Sequence, residues 1–156
     1  MATNDSPKHQ LRLQRFCGTQ EHPVERVEIY VARGAPTLLS VDIWCGPATV
    51  DTAPEGDQCG WASPSLTLWL PVPSLEPAEL DDFQVIVPWT YLAERDARQR
   101  LYVFEHEGLW DIDAHFEVRG GQVLLRFTAL ARDPNHYRGD KPDTQVSGSC
   151  SFALPS

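Results

Sequence analysis

Asp111, Asp113, His115 and Glu117 alternate along one segment, the spacing at which side chains of an extended chain project from the same face. Residues two apart on a strand lie about 6–7 Å from one another, near enough for a carboxylate to tune an imidazole. Asp113 and Glu117 flanking His115 are therefore the strongest candidates for acid–base chemistry, with His115 as general base or metal ligand. Glu105 and His106 lie across the preceding turn and are within reach of it. The neighbouring strand adds Arg126 and Leu130 to that face, so a solvated sheet surface is the plainer account.

A second segment with chemical potential is Trp44-Cys45-Gly46-Pro47-Ala48, preceded by Val41-Asp42-Ile43. It resembles the thioredoxin active-site motif, Trp-Cys-Gly-Pro-Cys. The resemblance implies a nucleophilic Cys45 at a helix N-terminus and a second cysteine that resolves the mixed disulfide. Ala48 stands in the resolving position, which removes dithiol exchange, and Pro54, Gly56 and Gly60 forbid the long helix. The segment reads as a strand that ends in a Gly-Pro turn.

Other chemistry has no motif to carry it. There is no Gly-rich phosphate loop, His-Glu-x-x-His pair or Gly-x-Ser-x-Gly elbow. The acids in Asp51–Asp57 and Asp133–Asp143 lack the spacing of an EF-hand loop. Cys17, Cys45, Cys59 and Cys150 are too irregular for a zinc ribbon or a disulfide framework. No cofactor and no metal are expected.

The elements that must position these residues are strands. Period-two alternation recurs about every ten residues, punctuated by 13 prolines and 10 glycines, which predicts an all-β antiparallel fold. Residues 1–8 read as a disordered tail and 9–156 as a single β domain. The clearest unit is a hairpin across Gly120-Gly121, a pair suited to a type I′ turn. That turn pairs Arg119 with Gln122, Val118 with Val123, Phe116 with Leu125, Ala114 with Phe127 and Ile112 with Ala129. Every second pair is apolar on both strands, so turn and pattern fix one register.

A second hairpin turns at Arg33-Gly34-Ala35-Pro36, with Val27, Ile29 and Val31 facing Leu39, Val41, Ile43 and Cys45. Thr144–Leu154 alternates Val146, Cys150, Phe152 and Leu154 against serines. Gln99–Glu107 is apolar on both faces, as a central strand is. With Leu11–Phe16, Leu66–Leu70 and Phe83–Val87 this makes about eight or nine strands, read as a β-sandwich with a closed β-barrel as the alternative. Short helical turns are expected at Ser74–Asp81 and Thr90–Arg98. Pro47–Pro64 and Asp133–Asp143 read as long loops, the class of segment in which function concentrates.

Net charge is 13 − 22 = −9, and all of it sits in the middle of the chain. No Lys, Arg or His occurs between Gly34 and Glu94, a stretch with nine acids: Asp42, Asp51, Glu55, Asp57, Glu76, Glu79, Asp81, Asp82 and Glu94. Such a field repels nucleic acid and anionic lipid and favours a basic protein partner. Trp44, Trp61, Trp69 and Trp89 fall in the same stretch. Tryptophan usually fills a core, but Trp69 shares its face with Thr67, opposite Leu66, Leu68 and Leu70, and Trp61 lies in a loop.

The expected function is therefore a non-enzymatic protein-binding domain with an acidic surface, such as an inhibitor or immunity-type protein that occludes a basic toxin. Its binding residues would be Asp51, Glu55, Asp57, Trp61, Trp69, Glu79, Asp81 and Asp82. The alternative is a barrel that binds a small hydrophobic ligand, a cyclase or isomerase using Asp113, His115 and Glu117, with Tyr102 and Trp110 at its mouth. No apolar run reaches the roughly 20 residues of a membrane span, and Met1–Gln10 lacks the apolar region of a secretory signal, so a cytoplasmic location is expected.

Overall fold

The structure, a computed structural model, describes residues 9–88, 99–103, 106–136, 138 and 140–155. The expected tail 1–8, Trp89 and the expected helical turn Thr90–Arg98 lie outside the described residues. Among the described residues strand accounts for 61% and helix for 3%, so the fold is all-β. The strands are β1 Gln10–Arg15, β2 Gly18–Ala32, β3 Thr37–Cys45, β4 Val50–Asp51, β5 Ser65–Val72, β6 Phe83–Val87, β7 Arg100–Tyr102, β8 His106–Gly108, β9 Trp110–Arg119, β10 Gln122–Ala131 and β11 Thr144–Ala153. One helical turn, α1 Pro77–Leu80, precedes β6, with proline in its first turn where a missing N–H costs nothing.

All eleven strands belong to one antiparallel sheet ordered β6-β9-β10-β11-β1-β2-β3-β5-β7-β8, with β4 on the side of β2. The long strand β2 serves both halves. Its first part pairs with β1 as far as Pro23, and its second part pairs with β3 from Val24 onward. The register shifts between Val24 and Arg26, and a bulge of this kind bends and twists a strand. Pro23, which has no N–H to give to a ladder, stands at the changeover. The sheet thus folds over itself into two arms, the layers of a sandwich.

Alternation fills the space between the arms. Leu11, Leu13, Phe116, Leu125 and Cys150 of the first arm and Val41, Ile43, Leu66, Leu68 and Leu101 of the second join one buried cluster. The expected inward positions of Cys45 and Cys150 hold. The sheet does not close, which corrects the barrel alternative: β6 and β8 end the strand order without meeting. Eleven strands exceed the expected eight or nine because β4 has two residues and β7 and β8 three each, too short to leave an alternation signal.

The Gly120-Gly121 hairpin has the expected register from Arg119↔Gln122 to Asp113↔Thr128. Both glycines have positive φ, 56° and 80°, as the type I′ turn requires. The expected Ile112–Ala129 pair is replaced by a bulge between Thr128 and Leu130, beside Asp111 at φ 50°. The segment from Gln99 is not a central strand. It forms the hairpin β7–β8 at the end of the sheet, with Leu101 and Val103 buried and Tyr102 exposed; Phe104 lies outside the described residues.

Candidate functional site

β9 carries Asp113, His115 and Glu117 on its outer side, between β6 and β10, while Ile112, Ala114 and Phe116 point into the core. His115 Nε2 lies 2.7 Å from Asp82 Oδ1, and Asp82 is held there at φ 60°. The adjacent Asp81 accepts the Val118 N–H at 2.8 Å. Asp113 accepts the Gln84 amide at 2.8 Å, and Glu117 reaches Arg126 at 3.2 Å and Arg119 at 3.8 Å. Each carboxylate on the row has taken its own partner, so His115 is oriented by Asp82 rather than by the acids beside it on the strand.

The open sheet gives this row no lumen, and the barrel-dependent roles of Tyr102 and Trp110 fall with it. Tyr102 sits on the other arm, and Trp110 packs against the core. A depression of about 300 Å³ beside Glu117 is lined by His9, Arg119, Gln122 and Arg126 but not by His115. Among the described residues, no group of three His, Cys, Asp or Glu is placed to hold a metal ion.

The acids of the Pro47–Pro64 loop look inward as much as outward. Asp51 accepts the backbone N–H of Gly60 at 2.8 Å and of Ala53 at 3.1 Å, and the Gln20 amide at 3.2 Å. Asp57 meets His136 at 3.1 Å, and its carbonyl accepts Arg15 at 2.6 Å. Behind them Arg15 forms a two-pronged pair with Asp133, at 2.7 and 3.1 Å, with both side chains fully buried. Burial alone would lower the Arg15 pKa; the hydrogen bond to Asp133 and the surrounding charge outweigh it and hold the pKa above its ordinary value. Arg15 and Gln20 also contact the Cys59 sulfur, so this clamp fastens both long loops to β1 and β2. Glu55 remains exposed, and Trp61 is 72% exposed.

Glu79, Asp81 and Asp82 are exposed around α1, at the other end of the first arm. Val118 pairs with Val123 and so with Phe152, whereas the Asp133 clamp lies beyond Ala131↔Thr144. Eight residues of β11 separate the two ends, roughly 27 Å at strand rise. The acidic residues therefore form two groups rather than one patch.

Trp69 belongs to a third place. On the outer side of the second arm, Arg26 pairs with Trp44, Trp44 with Ser65 and Ser65 with Tyr102 in one row. Glu28, Asp42, Thr67 and Arg100 form the next row, and Tyr30, Ser40 and Trp69 the one after. Arg26 lies 4.0 Å from the Trp44 ring centroid, a cation–π contact, and Tyr30 meets Trp69 edge-on with centroids 6.4 Å apart. Thr67 donates to Asp42 at 2.7 Å. The buried Gln99 side chain hydrogen-bonds both backbone groups of Trp69, taking the place of a strand residue. Tyr30 is 63% exposed and Tyr102 39%. Sequence reasoning missed Trp44, Tyr30 and Tyr102 here, although the parity that turns Trp69 outward also turns out Trp44, opposite Val41, Ile43 and Cys45.

Cys45 ends β3 facing the core, and burial pushes its thiol up to about 12. It is a packed, protonated side chain and not a nucleophile at the head of a helix. Compared with protein-family models, with curated proteins and with solved structures, the chain matches none.

Proposed function

We propose that this chain is a non-catalytic protein-binding domain that docks through the outer face of β2, β3, β5 and β7 and selects a basic partner by its charge. The observation that carries this reading is the set Tyr30, Trp44, Trp69 and Tyr102 with Arg26 and Arg100 on one outer sheet face, Tyr30 and Tyr102 exposed and the two tryptophans partly so. Tryptophan, tyrosine and arginine are the residues in which interface hot spots are enriched, and a solvated face has no need of four aromatics. Twenty-two acids against thirteen bases supply the long-range attraction for a basic protein and speed its encounter. Exposed Glu55, Glu79 and Asp82 extend that field around the molecule, and exposed Trp61, in the same loop as the first of them, adds an apolar contact. Occlusion of a basic active site, as an inhibitor or immunity protein does, is the use this combination supports best.

The test is a pull-down from host lysate with the wild type, with Tyr30→Ala/Trp69→Ala, and with Ser149→Ala on the opposite face. A basic protein retained by wild type and Ser149→Ala, released at high salt and absent from the double variant is the expected result. Retention of the same partner by the double variant would overturn the assignment of this face.

A further inference from the structure

The two ends of the sheet are built differently. β8 is a three-residue strand that carries Glu107 and closes on Gly108, a short and charged edge of the kind that resists further pairing. β6 is Phe83-Gln84-Val85-Ile86-Val87, with no charge, no proline and no glycine. One edge pairs with β9 along its full length, and among the described residues no strand pairs with the other. Its Ile86 is 64% exposed on the outer face, next to Asp113. Natural edges are guarded by lysine, proline, a bulge or a cover, and β6 has none of the first three.

We infer that β6 is a strand-addition site for an extended, basic segment of a partner protein. An added strand would satisfy the outward N–H and C=O groups of alternate residues, which supplies affinity without regard to sequence. Selection comes from the side chains. Residues facing the sandwich interior would lie beside Phe83, Val85 and Val87 and so must be apolar. Those on the outer side would lie beside Gln84 and Ile86. At the strand's start stand exposed Glu79 and Asp82, the latter with its side chain 88% exposed although Oδ1 meets His115, so lysine or arginine belongs at that end of the guest. A second copy of this chain is disfavoured as the guest, because each copy brings a net charge of −9.

This site is separate from the aromatic face and stands without it. The probe is a synthetic peptide alternating valine with lysine, compared with its valine–glutamate counterpart, and the readout is amide hydrogen exchange resolved at residues 83–87. With the lysine peptide about tenfold above its Kd, exchange at the outward amides of β6 slows about tenfold. The glutamate peptide leaves it unchanged. Ile86→Lys and, independently, Gln84→Lys abolish the protection while circular dichroism shows both folded, and Tyr30→Ala/Trp69→Ala retains it. The inference fails if neither peptide protects β6, or if both protect it equally. It fails also if the wild-type chain alone sediments as a dimer that Ile86→Lys dissociates, since the guest is then a second copy.

Discussion

The outer faces of the two arms obey the same alternation and carry different chemistry. On the first arm, Thr128, Ser147, Ser149 and Ser151 surround a few ionic pairs, such as Arg126–Glu117 at 3.2 Å and Arg12–Glu21 at 3.9 Å. On the second, the same outward positions hold Tyr30, Trp44, Trp69 and Tyr102. Small hydroxyl side chains and exposed ion pairs contribute little to stability or binding but keep a sheet face wet. The aromatics cover more of their own face, with Trp44 under Arg26, Trp69 against Tyr30 and Ser40 buried between them, and leave Tyr30 and Tyr102 exposed. Parity alone therefore says which residues face out, and composition says how the two outer faces differ.

The largest perturbation should erase the contrast altogether. Asp133→Asn leaves the buried Arg15 guanidinium without its counter-charge, and urea unfolding should show a loss of about 3–5 kcal/mol. Because the clamp reaches both long loops, tryptophan fluorescence and far-ultraviolet circular dichroism should report one coincident transition. Two separated transitions would mean that the arms unfold apart and that their faces must be treated as independent.

A smaller and selective effect sharpens the comparison. Tyr30→Ala/Trp69→Ala should weaken partner binding by at least about 2 kcal/mol, or roughly 30-fold, by titration calorimetry. Ser149→Ala/Thr128→Ala should change it by less than about 0.5 kcal/mol. Equal losses from both pairs would put the contact somewhere other than the aromatic face.

Acid should act through the inside of the sandwich rather than through either face. His22 is fully buried; its Nδ1 meets the Gly46 carbonyl at 2.9 Å, while Nε2 has no partner among the described residues. Burial pushes its pKa below the ordinary 6.5. Below that value the unfolded chain takes up a proton that the native chain refuses, so stability is present at neutral pH and falls on acidification. The slope is at most about 1.4 kcal/mol per pH unit, down to the lowered native pKa. Comparing urea midpoints at pH 7 and pH 5.5 for the wild type and His22→Gln measures it, and equal slopes in the two proteins would refute it.

The mildest probe is thiol labelling. Cys17 is half-buried, whereas Cys45, Cys59 and Cys150 are buried, and burial holds the thiols of Cys45 and Cys150 up at about 12. At pH 8 Cys17 should be the one thiol to react in the folded protein, more slowly than a free thiol because burial also raises its pKa, and four should react in urea. Prompt reaction of a second native thiol would show an arm opening locally.

What the sequence makes legible follows from the range of the interactions. The Gly120-Gly121 hairpin is readable to the residue because turn chemistry and alternation are both local. β7 and β8 are not, since three residues cannot display a period and Leu101 and Tyr102 together look like a strand buried on two sides. Among the acids, Glu55 and Glu79 are as exposed as composition suggests. Asp51 and Asp57 are drawn into a network whose centre, Arg15 and Asp133, joins residues 118 apart in sequence, and no local pattern announces such a partner. The Asp82–His115 contact is hidden in the same way, because it exists only once β6 lies beside β9. The aromatic face is within reach of parity, which turns Trp44 and Trp69 outward together, but tryptophan composition alone points to a core.

β2 takes part in both arms, and this makes the molecule indivisible in engineering terms. A nick in the turn at Gly34–Pro36 would leave β1 and β2 on one fragment and every other strand on the second. Neither piece could then rebuild even one complete arm. The arms cannot be swapped as modules between chains, and a graft onto either face inherits an orientation set by the bend between Val24 and Arg26. That single kink works as the protractor of the fold, and an insertion there would turn one face relative to the other while leaving the composition of both untouched.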